Sequence, residues 1–473
     1  MHGKSSNTFR RIKRYQTQRL STSISQEHVS LQIHAWTAPG EPVPFSEAIG
    51  QDFEEIGEGY HWGKPWGTTW FHLQGVIPET WLESEHTQVE VYVDLGFDDA
   101  QPGFQAEALA YSADGVQIKG IHPRNRSIVI SPKQGQRIDV FLESASNPDI
   151  GGDWSYLPTE LGSRESRYTG ESLYVLRKAQ LRLVDKNIYQ LNEDFKKLID
   201  LWAVLPEELP RKAQILNALD KAVDVCASGP LGEKALEARR ILKPMLEAPA
   251  YASAHTLHAV GHAHIDSAWL WPLRETRRKV ARTFANALDL IEKNEEFIFS
   301  ASSAQQYLWL KEDHPHLFAR IKTAVADGRF IPIGGMWIEP DANLPSGESM
   351  TRQLLEGKNF FMEEFGVEPL DVWLPDSFGY SGAMPQIVLH SGSKYFLTQK
   401  ISWNDTNNFP HHTFTWEGID GSRVFTHFPP ADTYNSTISA EELKLSESSF
   451  SEKGKTNLSL LPFGWGNGGG GPT

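Results

Sequence analysis

Three residues with metal-binding side chains alternate in one short stretch: His262, His264 and Asp266, inside the run His-Ala-Val-Gly-His-Ala-His-Ile-Asp-Ser-Ala-Trp-Leu-Trp that spans 258–271. In an extended backbone, side chains two positions apart point to one side. The comb therefore offers two imidazoles and a carboxylate to a common centre, a donor set suited to a borderline divalent ion such as zinc or cobalt. Trp269 and Trp271 follow at once. An aromatic wall beside a charged centre fits a ligand with one polar face and one C–H face, which describes a sugar ring better than a phosphate or a peptide. Taken singly, each polar side chain could equally be satisfied by backbone hydrogen bonds at a strand end. The spacing of the set is what argues for chemistry.

The elements around the comb are of the right kind to position it. From His255 onward, apolar runs at Leu257–Val260, Phe297–Phe299, Phe330–Ile333, Val372–Leu374, Tyr395–Leu397 and Val424–Phe425 are separated by helical patterns at Lys279–Glu292, His316–Asp327 and Met350–Phe365. Strands interleaved with helices imply βα units and a mostly parallel sheet or barrel. In such folds reacting groups gather beyond the carboxyl ends of strands. The polar clusters follow that rule: the comb after the first strand, Trp337-Ile-Glu-Pro-Asp341 after the third, then Asp376, Gln399-Lys400 and His427.

Upstream, residues 65–185 alternate short period-two runs with Gly and Pro breaks, such as Val-Glu-Val-Tyr-Val at 89–93 and Ile-Asp-Val-Phe-Leu at 138–142. This pattern predicts an antiparallel β-sandwich or jelly roll without a catalytic set of its own. Leu191, Phe195, Leu198, Ile199 and Trp202 then form a helical stripe, and two further helical patterns follow, so 186–250 is a helical connector. Residues 1–64 are taken as an N-terminal arm, basic over its first 26 residues and lacking the apolar core of a secretory signal. The fold class is thus α/β: a sandwich-like module, a helical connector, and a β/α-barrel-type catalytic domain over 251–473.

Composition narrows the functional classes. The chain has 473 residues, 40% hydrophobic and 22% charged, enough for two to four domains of roughly 150 residues. A formal charge of −15 disfavours nucleic acid as a partner. No apolar run reaches the ~18 residues of a spanning helix, so no membrane partner is expected. One cysteine, Cys226, excludes an intrachain disulfide and reads as packing. A cytoplasmic protein, with the vacuole as an alternative and secretion excluded, is the expectation; a homo-oligomer is left open.

Together these motifs resemble glycoside hydrolase family 38, the α-mannosidases, in their neutral cytosolic and vacuolar branch. The resemblance rests on Gly-His-Ala-His-Ile-Asp-Ser-Ala-Trp at 261–269, Gly-Gly-Met-Trp-Ile-Glu-Pro-Asp at 334–341, Trp-Leu-Pro-Asp-Ser-Phe-Gly-Tyr-Ser at 373–381, and Phe-Gly-Trp-Gly-Asn-Gly-Gly-Gly-Gly-Pro at 463–472. It implies a retaining α-mannosidase acting on mannose-containing oligosaccharides. His264, Asp266 and Asp376 are then the metal ligands, for Zn2+ or Co2+, with Asp376 also the nucleophile and His262 a group behind the ligands. Trp269 stacks under the sugar, and Trp337, Asp341, Lys400 and Tyr434 are the further substrate contacts.

Two departures from the family pattern accompany this resemblance. The family's fourth ligand is a His in a later His-Asp motif, which does not occur before Thr473, and the glycine-rich ending looks like a truncation. An Asp associated with the general acid is replaced by Asn467, an amide that is no proton donor, leaving Asp432 as the fallback acid. Little or no activity is expected of the chain by itself. Two alternatives stand beside the main reading: a metal-dependent amidohydrolase or deacetylase, in which zinc would generate hydroxide, and a non-catalytic mannose-binding remnant.

Overall fold

The computed structural model describes residues 2–82, 85–98, 102–130, 137–148 and 171–473. Among the described residues the β-rich region folds as two packed antiparallel sheets and a small two-stranded pair of His61–Trp62 with Tyr174–Val175. One has six strands in the spatial order Glu54–Ile56, Gln32–Thr37, Gly67–Val76, Arg137–Ser146, Glu107–Ser112, Gln117–Ile121. The other has four, in the order Ser25–Ser30, Lys178–Asp185, Thr87–Asp94, Ser127–Ile130. Period-two patterning explains the packing: Val89, Val91 and Val93 are buried against Leu73, Val140 and Leu142, while Glu90 and Tyr92 face outward.

The six-stranded sheet is covered on its second face as well. Trp70, Leu109, Tyr111 and Phe141 share a core with Val280, Phe284 and Leu288 of the helix Leu273–Lys293. That helix carries Glu275, Arg278, Lys279 and Arg282 on one face, at the i, i+3, i+4, i+7 spacing of successive turns, and all four are buried. Burying charges is costly unless they pair, and here they do. Arg278 Nε meets Glu143 Oε1 at 2.7 Å and Arg282 Nη2 meets Glu107 Oε2 at 2.8 Å, both across the domain boundary. Arg278 and Arg282 also both reach Glu275, and Lys279 Nζ donates to the Gly103 carbonyl at 2.6 Å. Burial would raise the Glu275 carboxyl, but Arg282, Arg278 and Lys279 hold it down at about 2.

Residues 2–64 do not stand off from the domains as an arm. The helix His2–Tyr15 buries Ile12 against the connector helices Lys186–Val204, Pro210–Ala227 and Leu231–Leu246, and Cys226 packs in the same core. Its basic face has acidic partners far along the chain, since Arg11 pairs with Asp220 and Asp224. Strands from 25–56 complete both sheets. A local excess of basic residues misled because its counter-charges lie in another element.

The β/α region holds two four-stranded sheets. Thr256–His262, Phe299–Ala301, Phe330–Pro332 and Leu458–Phe463 form the first, all parallel, with the order Phe330, Phe299, Thr256, Leu458 by first residue. Asp371–Leu374, Tyr395–Thr398 and Arg423–His427 run parallel in the second, edged by the antiparallel Thr413–Glu417. Ile333, Trp373 and Leu397 meet Val260 and Leu460 between the sheets. Sequence patterning missed the helices Ala304–Asp313, Met384–His390 and Ala440–Ser449, which lack a long apolar stripe.

Arg282→Ala leaves Glu107 and Glu275 under-compensated in a buried site, which costs about 3–5 kcal/mol by analogy with broken buried pairs. Urea unfolding should show a clearly lowered midpoint, and an unchanged midpoint would refute the structural importance of the pair.

Candidate active site

A cleft of about 590 Å3 opens beyond the carboxyl ends of the parallel strands, walled by residues of the loops that follow all of them except Phe299–Ala301. The strand Thr256–His262 ends one residue before Ala263 turns the chain, so the comb divides. His264 and Asp266 enter the cleft, whereas His262 is fully buried below it, bonded through Nδ1 to the Ser300 carbonyl and accepting at Nε2 from Trp373 Nε1 at 3.2 Å. Burial lowers the His262 pKa to about 4 and keeps it neutral. Its two ring nitrogens are thus committed to Ser300 and Trp373, which seat it between the two sheets.

His264 is the hub. Its Nε2 lies 3.1 Å from Asp266 Oδ1 and 3.2 Å from Asp376 Oδ2, while Nδ1 lies 3.0 Å from Glu339 Oε2. That last pair is close enough for an ionic contact, and Nδ1 is a buried nitrogen with no other partner. Burial disfavours the imidazolium, yet Glu339, Asp266 and Asp376 together raise its pKa well above the ordinary value. Asp376 also pairs through Oδ1 with Lys400 Nζ at 2.8 Å. Burial would raise the Asp376 carboxyl; His264 and Lys400 outweigh it and hold it at about 2.

His264, Asp266 and Asp376 present three ligand atoms within 4.8 Å of one another. Ligand atoms about 2.1 Å from a shared ion at tetrahedral vertices stand about 3.4 Å apart, close to the 3.1 and 3.2 Å seen here. Charge points the same way. A neutral imidazole, a divalent ion and the Lys400 ammonium balance the three carboxylates of Asp266, Glu339 and Asp376. The residues present fit a metal.

The rest of the cleft is aromatic and polar. Trp269 lies in its wall, 46% exposed, and its ring meets Phe104 of the sandwich edge-on at 5.8 Å. Trp271 is buried instead, bonded to Thr276, and forms no wall. Trp403 and Phe378 are 64% and 69% exposed and flank Lys400, whose Nζ sits 3.3 Å above the Trp403 ring. Tyr434 donates to Asn467 Oδ1 at 2.8 Å, and Asp266 N donates to the Asn467 carbonyl at 2.9 Å, so Asn467, in the left-handed region at φ 60°, ties the glycine-rich loop to the comb. That loop crosses the sandwich backbone so tightly that a Cβ at Gly103 would stand 2.6 Å from Gly468 Cα.

Of the expected substrate contacts, Trp269, Asp341, Lys400 and Tyr434 line the cleft; Trp337 does not. The Trp337 indole donates to Gln305 and packs edge-on against Phe360, because it lies on the core side of its loop. Asp341 uses Oδ1 to accept from the Asn343 and Leu344 amides. Asp432 is exposed, at φ 54°, outside the lining residues but two positions from Tyr434. Sequence reading did not single out Glu339, Phe378 or Trp403. Glu339 was legible as an acid in a strand-end cluster; Trp403 follows Lys400 by three residues in a loop with no periodic signal.

Residues 254–473 match the glycosyl hydrolases family 38 N-terminal domain, and residues 28–182 match the alpha-mannosidase jelly roll domain. The chain is 39% identical to Alpha-mannosidase 2C1 of Homo sapiens over 439 residues, covering 92% of this chain and 40% of that protein. It is 33% identical to an Alpha-mannosidase of Saccharomyces cerevisiae over 440 residues, 89% of this chain and 39% of that one. It thus spans about two fifths of the length of these relatives. An alpha-mannosidase from Enterococcus faecalis V583 of known structure aligns at 22% identity and TM-score 0.39, over 46% of this chain and 25% of that one.

Asp266→Ala removes a carboxylate from the three-residue set. Equilibrium dialysis should find about one equivalent of zinc or cobalt on the parent chain and a stoichiometric loss in the variant; full metal content in the variant would reject the site.

Proposed function

We propose that this chain, whose residues 254–473 match the glycosyl hydrolases family 38 N-terminal domain, carries the catalytic cleft of a retaining α-mannosidase that removes terminal mannose from oligosaccharides. The observation that carries the reading is the placement of Asp376: an ionised carboxylate at the end of the strand Asp371–Leu374, gripped by Lys400 and His264, inside a cleft walled by Trp269, Phe378 and Trp403. Aromatic faces meet the C–H side of a pyranose, and the charged floor meets its hydroxyls.

In the reaction, an Asp376 oxygen attacks the anomeric carbon while the bond from that carbon to the departing oxygen breaks. The departing oxygen takes a proton from a general acid. Of the two carboxyls near the cleft that do not face His264, Asp341 is held below its usual range by the Leu344 and Asn343 amides, whereas Asp432, although its side chain reaches solvent, is raised by partial desolvation from the chain around it. A raised pKa suits an acid, so that role goes to Asp432. Water then attacks the anomeric carbon, gives its proton to the Asp432 carboxylate and releases mannose from Asp376. Lys400 fixes the orientation of the attacking carboxylate, and Tyr434 is held by Asn467 beside it. His264, Asp266 and Asp376 would hold zinc or cobalt, which supplies Lewis-acid contacts to sugar hydroxyls and charge stabilisation.

The amidohydrolase alternative has less support, since His262 turns away and leaves one imidazole in the set. A cytoplasmic place of work fits the single buried thiol of Cys226. Among the described residues no helix is long and apolar enough to cross a membrane.

Incubation of the metal-loaded protein with a fluorinated mannosyl reagent, followed by peptide mapping, should place the label on Asp376; a label on another carboxylate would reassign the nucleophile. In a full-length version with measurable turnover, Asp432→Asn should slow cleavage of an unactivated mannobiose by roughly 10²–10⁴-fold and largely spare an aryl mannoside whose leaving group needs no proton. Equal losses on both substrates would remove Asp432 from the acid role.

A further inference from the structure

Glu339 is the one carboxylate around His264 that sits on the wrong side of the ring to share its ion. Asp266 and Asp376 face Nε2, and Glu339 faces Nδ1. The two nitrogens of an imidazole point away from each other, so one ion cannot be bound at both. Glu339 is nevertheless held with care. Its Oε1 accepts from Ser302 Oγ at 2.7 Å, and its backbone N–H donates to Ser303 Oγ at 3.2 Å. Ser303 adopts φ 68°, a strained conformation for a non-glycine residue that persists only where the surroundings require it. The two serines follow the strand Phe299–Ala301 directly, so a rigid strand end fixes the carboxylate and leaves Oε2 for His264.

We propose that Glu339 is a positioning residue for the metal: its carboxylate, 3.0 Å from His264 Nδ1, keeps the ring proton on that nitrogen and so fixes the tautomer that leaves the Nε2 lone pair for the ion. A histidine ligand generally gives its second N–H to a carboxylate or carbonyl, which orients the ring and strengthens the donor nitrogen. Glu339 fills that place, and the Ser302–Ser303 pair fills the same place for Glu339. The negative charge of Glu339 also completes the neutral balance of a divalent ion, Lys400 and three acids. This inference rests on the metal reading of the cleft, and its test separates the two.

The test compares the parent chain with Glu339→Gln, Ser302→Ala and Asp266→Ala. Zinc affinity is read by competition with a chromophoric chelator, the coordination sphere by the visible bands of bound cobalt, and folding by thermal unfolding of the metal-free proteins. We expect Glu339→Gln to keep the one-to-one stoichiometry and the metal-free unfolding temperature while weakening affinity roughly 10–100-fold. Ser302→Ala, which leaves the charge in place and loosens its hold, should weaken affinity less. Parent-like affinity in both variants would overturn the inference. Complete loss of binding in Glu339→Gln, matching Asp266→Ala, would also overturn it, because Glu339 would then be a ligand. If Glu339→Gln fails to fold, Ser302→Ala decides alone. A parent chain that binds no zinc or cobalt would reject the metal reading itself, a result distinct from either failure.

Discussion

Six charges buried between the sandwich and the helix Leu273–Lys293 set the terms for the rest of the molecule. Glu107, Glu143 and Glu275 oppose Arg278, Lys279 and Arg282, three against three, all of them buried. Such a cluster gains little over a well-packed apolar interface, but it is unforgiving of misplacement, because any shift strands an unpaired charge. It therefore fixes the register of one domain on the other. Lys279 extends that register to the backbone by holding the carbonyl of Gly103. From there the constraint passes to the cleft, since the next residue, Phe104, supports Trp269, and Gly103 itself abuts the glycine-rich loop.

The cleft repeats the same physics with one difference. At the domain boundary acids and bases cancel, and the groups are closed off. Around His264 the acids exceed the fixed cations, and the group is open to solvent on the side of Trp269 and Trp403. An imbalance of that kind at the mouth of parallel strands is what a cation and a polar ligand would relieve. Asp376 stays ionised because His264 and Lys400 flank it, not because it is exposed.

Much of this was legible in the sequence because the signals are short-range. Alternation in Val89–Val93 specifies a strand with one buried face, and the alternation of His264 with Asp266 puts both on one side of the chain beyond the strand end. Asp376 was legible as the first acid after an apolar run. What could not be read were facts that depend on a distant partner. His262 has the same spacing as His264, yet Trp373 and Ser300, from two other strands, claim it. Trp337 and Trp271 are aromatic residues next to the right motifs, and both are spent on packing. The basic residues near the N-terminus lie on a helix whose acids come two hundred positions later, at Asp220 and Asp224. In each case the sequence identifies the side chain's chemistry but not the neighbour that uses it.

The crossing of Gly103 over Gly468 bears on where the chain can be cut. By sequence pattern, the stretch near residue 250, between the connector helices and the strand Thr256–His262, is an obvious place to divide the protein into a sandwich piece and a cleft piece. A cleft piece made that way would lose the backbone against which Gly468 rests, the ring under Trp269 and the acids facing Arg278 and Arg282. The sandwich piece would show Glu107 and Glu143 on a face already lined by Trp70, Tyr111 and Phe141. Neither half is a self-sufficient module: the seam that looks like a linker in one dimension runs, in three, straight through the wall of the cleft.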